Sequence, residues 1–306
     1  MTNLSCRVSI GIPTRDRWDI LRLTLTKLEE HGYSALDTMV IDDGTETPMP
    51  FDLAARFPWV RFLRFEKPAG VCARRNWLAR NLSTPFMLYL DDDSFPIAGD
   101  LSAACDWLEA QPKALSLAFQ ICQSDAGPDP ELTAMAPMRL RDFNGGGVLL
   151  RRDLFLSLGG FEEKFTYYLE EPELCMRALQ QGYEMWGYPT FIVEHHMARS
   201  HRDIPGRVRM LLRKEALMAL MFFPFPICYR RIFTCVPGFF YHNAELRPYW
   251  PQMIAGAIKG IGDYLSGGYK RRRNTPEEYR NWCSVPLATA VYRNAEITYG
   301  GSKGAQ

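Results

Sequence analysis

The chain has 306 residues, 47% of them apolar, and a formal net charge of +1. That much apolar residue fills a core for one large domain, or for one domain with a substantial appendage, and excludes a disordered chain. The balanced charge offers no field for a nucleic acid partner, although the run Lys270-Arg271-Arg272-Arg273 suits a local acidic surface.

Val8 to Ile12 reads as a buried strand. Leu21, Leu25 and Leu28 recur at helical spacing, and Gly32 follows as a stop. Met39 to Ile41 is the next apolar strand, ended by Asp42 and Asp43. Val60 to Phe65 interleaves arginines with apolar residues, which predicts an edge strand or one exposed face. A helix follows from about Val71 to Asn81. Phe86 to Leu90 is a central strand whose C-terminal end carries Asp91, Asp92 and Asp93, the sheet edge at which open α/β sheets bind ligands. Leu115 to Cys122 reads as a strand, and Ser124 to Pro137, rich in proline, aspartate and glycine, as a loop able to act as a lid. Pro172 at a first helical position, preceded by Glu170 and Glu171, opens a helix to Gln181 that stops at Gly182. Phe191 to Val193 leads into His195 and His196.

Alternation of strand and helix predicts an α/β fold with a mostly parallel central sheet flanked by helices over residues 1–202. From 203 to 299 the pattern is helical, and the small, polar residues 300–306 form a loose tail. Ala216 to Cys228 is almost wholly apolar but far shorter than the roughly 20 residues that span a bilayer. Its open readings are a buried helix, a subunit contact in a homo-oligomer, or an interfacial membrane anchor. The eight cysteines form no CxxC pair, and the N-terminus has no signal-peptide pattern, which together fit a cytoplasmic protein, peripheral at the inner membrane face if the apolar segment anchors it.

Three adjacent carboxylates at one strand end repel one another, and a hard cation relieves the repulsion. Mg2+ or Mn2+ suits such oxygen ligands and bridges to phosphate oxygens. A solvated acidic loop is the plainer reading of the run by itself.

Taken in order, Val8 through Arg17, Val40-Ile41-Asp42-Asp43-Gly44-Thr45, Gly70 with Arg75-Asn76, and Tyr89-Leu90-Asp91-Asp92-Asp93 resemble the signature of family-two inverting glycosyltransferases of GT-A fold. Asn144 through Arg152, Gly159-Gly160-Phe161-Glu162-Glu163, Glu170 through Arg177 and Gly182-Tyr183 resemble that family's acceptor-side blocks, so the likeness covers roughly residues 7 to 200.

The resemblance implies that Pro13, Thr14 and Arg17 line the nucleotide pocket, with Asp42 at its edge and Asp43 accepting a hydrogen bond from the base. It implies Arg75 facing the diphosphate, Asp93 as the most direct metal ligand, Asp91 and Asp92 supporting the metal or the ribose, and His195 or His196 completing the metal shell or contacting the diphosphate. Glu171, with Glu170 as its alternate, is implied as the general base that deprotonates the acceptor hydroxyl. The family residue there is aspartate, so the chain departs from the pattern at this position. The expected partners are a UDP- or dTDP-sugar donor and a saccharide or lipid-linked acceptor. Gly260, Gly262, Arg271 to Arg273 and Glu278 to Trp282 resemble the end of bacterial rhamnosyltransferase-type members, which implies polysaccharide or glycolipid assembly. Two rivals stand beside this reading. One is a nucleotidyltransferase, whose glycine-rich, lysine-bearing loop is lacking near the N-terminus. The other is a non-catalytic nucleotide-sugar or saccharide-binding module, kept open by Glu171.

Overall fold

The computed structural model describes residues 4–124, 126–165, 170–196 and 203–287. These fall into two compact units, residues 4–196 with 286–287 and residues 203–285. The boundary expected near 202 and the tail from 300 lie outside the described residues.

In the first unit the chain runs β1 (Val8–Thr14), α1 (Trp18–Glu30), β2 (Asp37–Asp43), α2 (Leu53–Arg56), β3 (Val60–Phe65), α3 (Val71–Asn81), β4 (Phe86–Leu90) and β5 (Ser94–Ala98). It continues with α4 (Leu101–Ala110), β6 (Ala114–Gln123), α5 (Pro130–Thr133), β7 (Met138–Leu140), β8 (Gly147–Arg151), α6 (Arg152–Ser157), α7 (Glu170–Gln180) and β9 (Glu184–His195). The strands form one sheet in the order β3-β2-β1-β4-β8-β6-β9-β5, with β7 paired to β9.

From β3 to β4 every pairing is parallel, as expected for strands joined by helical crossovers. Beyond β4 the sheet is mixed. β8 runs antiparallel to both β4 and β6, β9 is parallel to β6, and β5 and β7 run antiparallel to β9. The central strands β1 and β4 bury nearly every residue, which is why their sequences read as continuous apolar runs. β3 closes one edge with Arg61 and Arg64 exposed, as the interleaved arginines predict.

Some elements match expectation and others depart from it. α7 begins at Glu170, so Pro172 sits within the first turn, where no intrahelical N–H bond is lost. Gly32 and Gly182 end their helices with φ of +80° and +78°. The segment expected as a lid is tied down: α5 lies within it, capped by the Asp129 side chain, and Gln120 of β6 donates to Thr133 Oγ1 and accepts from Asp129 N. Asp125 of that segment lies outside the described residues.

The second unit is helical: α8 (Ile204–Phe222), α9 (Ile227–His242), α10 (Trp250–Leu265) and α11 (Pro276–Ser284). Within the apolar run, Ala216 to Phe223 are all buried within or just after α8, whereas Phe225 is 63% exposed. Among the described residues, no helix is long and apolar enough to cross a membrane. α10 lies close on α8 through Gly256 and Gly260, at each of which a Cβ would overlap a backbone carbonyl of α8, that of Arg209 or Arg213. Gly256→Val therefore forces the two helices apart. We expect it to lower stability by about 1–3 kcal/mol, read as a fall in the denaturation midpoint.

Candidate active site

Strand register gathers the polar residues at one end of β4. Gly11 of β1 pairs with Tyr89, which brings Thr14 to the aspartates, and Thr14 Oγ1 donates to Asp92 Oδ2 at 2.7 Å. Leu90 pairs with Gly147, which brings Gly145 and Gly146 beside Asp91. A turn over Asp91–Ser94, closed by Ser94 N donating to Asp91 O, reverses the chain into β5. Ser94 then pairs with His195 of β9, so that His195 stands next to Asp93.

The result is a compact acidic cluster. Ligand atoms of Asp91, Asp93 and His195 all lie within 4.8 Å of one another. His195 Nε2 is 3.0 Å from Asp93 Oδ1, yet that buried oxygen receives no aligned hydrogen bond. An unsatisfied buried carboxylate oxygen facing an imidazole nitrogen and a second carboxylate is a donor set suited to a divalent cation, Mn2+ more than Mg2+ because of the imidazole. His196 does not join them. Its ring packs on Phe95, and its Nε2 faces Glu194.

Two arginines offset the acidic charge. Arg17 forks across the run, with Nη1 2.7 Å from Asp92 Oδ1 and Nη2 on Asp93 Oδ2. Arg75 is buried on α3 and donates from Nη2 to Asp91 Oδ1 at 2.7 Å and to Gly145 O at 3.0 Å, while its Nη1 lies 3.7 Å from Glu171 Oε1. It thus bridges the strand-end carboxylate and the candidate base instead of standing open to a diphosphate. The guanidinium explains Gly145, where any Cβ would overlap it. Glu171 Oε1 also accepts from Gly145 N at 3.2 Å. Glu170, its alternate, is buried.

Asp42 and Asp43 divide differently than expected. Asp43 accepts from Ala69 N and Gly70 N, both at 2.8 Å, and from Arg74 Nε, so its carboxylate holds the loop ahead of α3. Asp42 Oδ1 accepts from Thr45 N at 2.9 Å, while its buried Oδ2 has no hydrogen-bond partner. Pro13 is half-buried at the end of β1, paired with Ile41. Arg74 was missed by sequence reasoning, although adjacent arginines in a helix facing the sheet were the available signal. Trp107 packs on both Trp186 and Tyr188.

Residues 9–171 match the family model for glycosyl transferase family 2. The chain belongs to that family. This glycosyltransferase is 24% identical over 225 residues to the O-antigen biosynthesis protein RfbC of Myxococcus xanthus, an alignment covering 64% of the chain and only 18% of RfbC. Among solved structures it resembles GalNAc-T7 with UDP, GalNAc and Mn2+ (14% identity, 85% of this chain and 57% of that one, TM-score 0.60). It also resembles the mannosyltransferase PcManGT of Pyrobaculum calidifontis in complex with GDP-Man and Mn2+ (15% identity, 86% and 88% covered, TM-score 0.54). At these identities the structures establish the fold, which is of GT-A type, with the mixed sheet described above.

The electrostatics separate the three aspartates. Burial, reinforced by Asp93 and Asp91, pushes Asp92 up to about 7 against the opposing pull of Arg17 and Thr14. Asp93 is buried too, but His195 and Arg17 outweigh that and hold it below the usual carboxylate range. For His195, burial opposes the charged form, and the neighbouring aspartates still raise it above an ordinary histidine. A carboxyl with a raised folded value takes up a proton on folding, so Asp92 costs stability as pH climbs from the unfolded value of 3.8 towards about 7. In chelator, the melting temperature of Asp92→Asn relative to the native chain should therefore improve between pH 5 and pH 8, the bounds being about those values. A pH-independent difference would contradict it.

Proposed function

We propose that the chain is a metal-dependent, inverting glycosyltransferase acting on a UDP- or dTDP-sugar. The observation that carries this reading is the convergence of Asp91, Asp93 and His195 at a strand end, with Arg75 linking Asp91 to Glu171. The first three residues would hold Mg2+ or Mn2+ against the donor diphosphate, where the ion supplies positive charge to the leaving oxygens. Two structures of the same fold, those of GalNAc-T7 and PcManGT, are complexes with Mn2+, which supports this choice of ion. Asp42, whose Oδ2 has no hydrogen-bond donor although Arg64 Nε lies 3.6 Å away, is proposed beside Asp43 as an acceptor for the imide N–H of a uracil or thymine base. Pro13 and Thr14 line that end of β1.

Glu171 takes the proton of the acceptor hydroxyl as its oxygen bonds to the anomeric carbon. The bond from that carbon to the diphosphate oxygen breaks on the opposite face, giving an inverted glycoside and a nucleoside diphosphate. Arg75 and Gly145 N hold the Glu171 carboxylate in place, and Arg75 favours its charged form. Burial nevertheless raises Glu171 above the ordinary glutamate value. The likeness to an O-antigen biosynthesis protein supports a saccharide or lipid-linked acceptor, used in polysaccharide or glycolipid assembly.

Release of nucleoside diphosphate from a panel of UDP-, dTDP- and GDP-sugars, with Mn2+ or with chelator, tests the proposal. Turnover of a UDP- or dTDP-sugar that chelator abolishes is expected, and turnover of GDP-sugars alone would overturn the base assignment. Glu171→Gln should lower kcat by about 10²–10⁴ with donor affinity retained, and Glu171→Asp should keep measurable activity. The acid limb of the native profile should lie above the ordinary carboxylate range, because the base works only when deprotonated and its value is raised. Nucleotide binding without turnover of any donor would select the non-catalytic binding module instead.

A further inference from the structure

α9 and α10 each leave an apolar stripe in solvent. On α9, Tyr229, Phe233 and Phe240 recur at intervals of four and seven, and on α10 so do Trp250, Ile254, Ile258 and Leu265. Each set therefore lies along one side of its helix. All seven side chains are exposed, from 39% at Phe240 to 78% at Phe233. α10 is apolar on both sides, but only the side with Met253, Gly256, Ala257 and Gly260 is buried. A helix apolar all round is stable when both sides are covered, and here one is not.

Charge identifies the cover. Residues 203–285 hold thirteen Lys and Arg against six Asp and Glu, a net +7 in a chain that nets +1. α9 has no carboxylate, and the single one in α10, Asp263, is paired with Arg213 and Lys259. Arg230, Arg247, Lys259, Lys270, Arg271 and Arg273 are all exposed.

We propose that the outward sides of α9 and α10 seat in the headgroup region of a bilayer containing anionic phospholipid, as an interfacial contact that does not span it. Tryptophan and tyrosine favour that depth, aliphatic and phenylalanine side chains reach the acyl boundary, and the cations meet lipid phosphates. A second copy of the chain is a poorer occupant, because a symmetric contact through these stripes sets two units of net +7 against each other. The proposal stands apart from the strand-end site, none of whose residues lie on these helices.

Sedimentation of the full chain with vesicles of phosphatidylcholine, with or without phosphatidylglycerol, tests it at about 0.1 M and about 0.5 M NaCl. The phosphatidylglycerol vesicles should carry the protein down, and less so at the higher salt. Phe233→Glu with Ile258→Glu should lower the partition coefficient about tenfold or more. Arg230→Gln, Arg271→Gln and Arg273→Gln together should weaken binding to the anionic vesicles with no change in melting temperature, since all three side chains are exposed. The proposal fails if the native chain does not sediment with anionic vesicles, or if neither variant set alters its binding. It also fails if the stripes prove to be a lipid-free dimer contact that the glutamates dissociate.

Discussion

Four carboxylates, Asp91, Asp92, Asp93 and Glu171, meet where β4 ends, and keeping that much negative charge in a mostly buried place constrains everything around it. Two of the four, Asp92 and Asp93, are nearly inaccessible. Arg17 on the β1–α1 connection and Arg75 on α3 supply the nearest fixed positive charge, one across Asp92 and Asp93, the other between Asp91 and Glu171. Removing either arginine would leave buried charge unpaired, which costs far more than an exposed pair would. The glycines at 145 and 146 belong to the same constraint. A side chain at Gly145 would displace the Arg75 guanidinium, and one at Gly146 would press on Asp91 Oδ2 at 3.1 Å.

The arginines do not complete the arrangement. Asp93 Oδ1 has no aligned donor, although His195 stands 3.0 Å away. One further positive charge among Asp91, Asp93 and His195, as proposed for a bound cation, would relieve both the repulsion and the unsatisfied oxygen. In this way the packing of a strand end and the chemistry proposed for it share one cause, a surplus of oxygen ligands over fixed cations.

Much of this was legible in the sequence, and the places where it was not have physical reasons. β1 and β4 are buried on both faces, so their uninterrupted apolar runs, bounded by aspartates, mark both the strands and the ligand edge. The choice between His195 and His196 was not legible. It depends on the pairing of β5 with β9, and β5 starts inside the acidic turn with no polar break to announce it. Asp42 and Asp43 posed a related problem. Successive residues of a strand point to opposite faces, and only the position of the Ala69–Gly70 backbone reveals that Asp43 is the one that holds the loop ahead of α3. The parallel half of the sheet followed from the alternation of strand and helix, whereas the reversals at β8 and β5 rest on long-range pairing that no local pattern encodes. In the second unit, Ala216 to Phe223 are buried, while Phe225 of the same apolar run and several side chains on the two helices after it are uncovered.

Calorimetric titration of UDP with and without Mn2+, on the native chain and on Asp93→Ala, tests the account most directly. The account predicts binding that requires both the ion and Asp93. Binding of equal strength without the ion, or unchanged by the substitution, would contradict it and leave the three aspartates as an acidic turn neutralised by Arg17 and Arg75 alone.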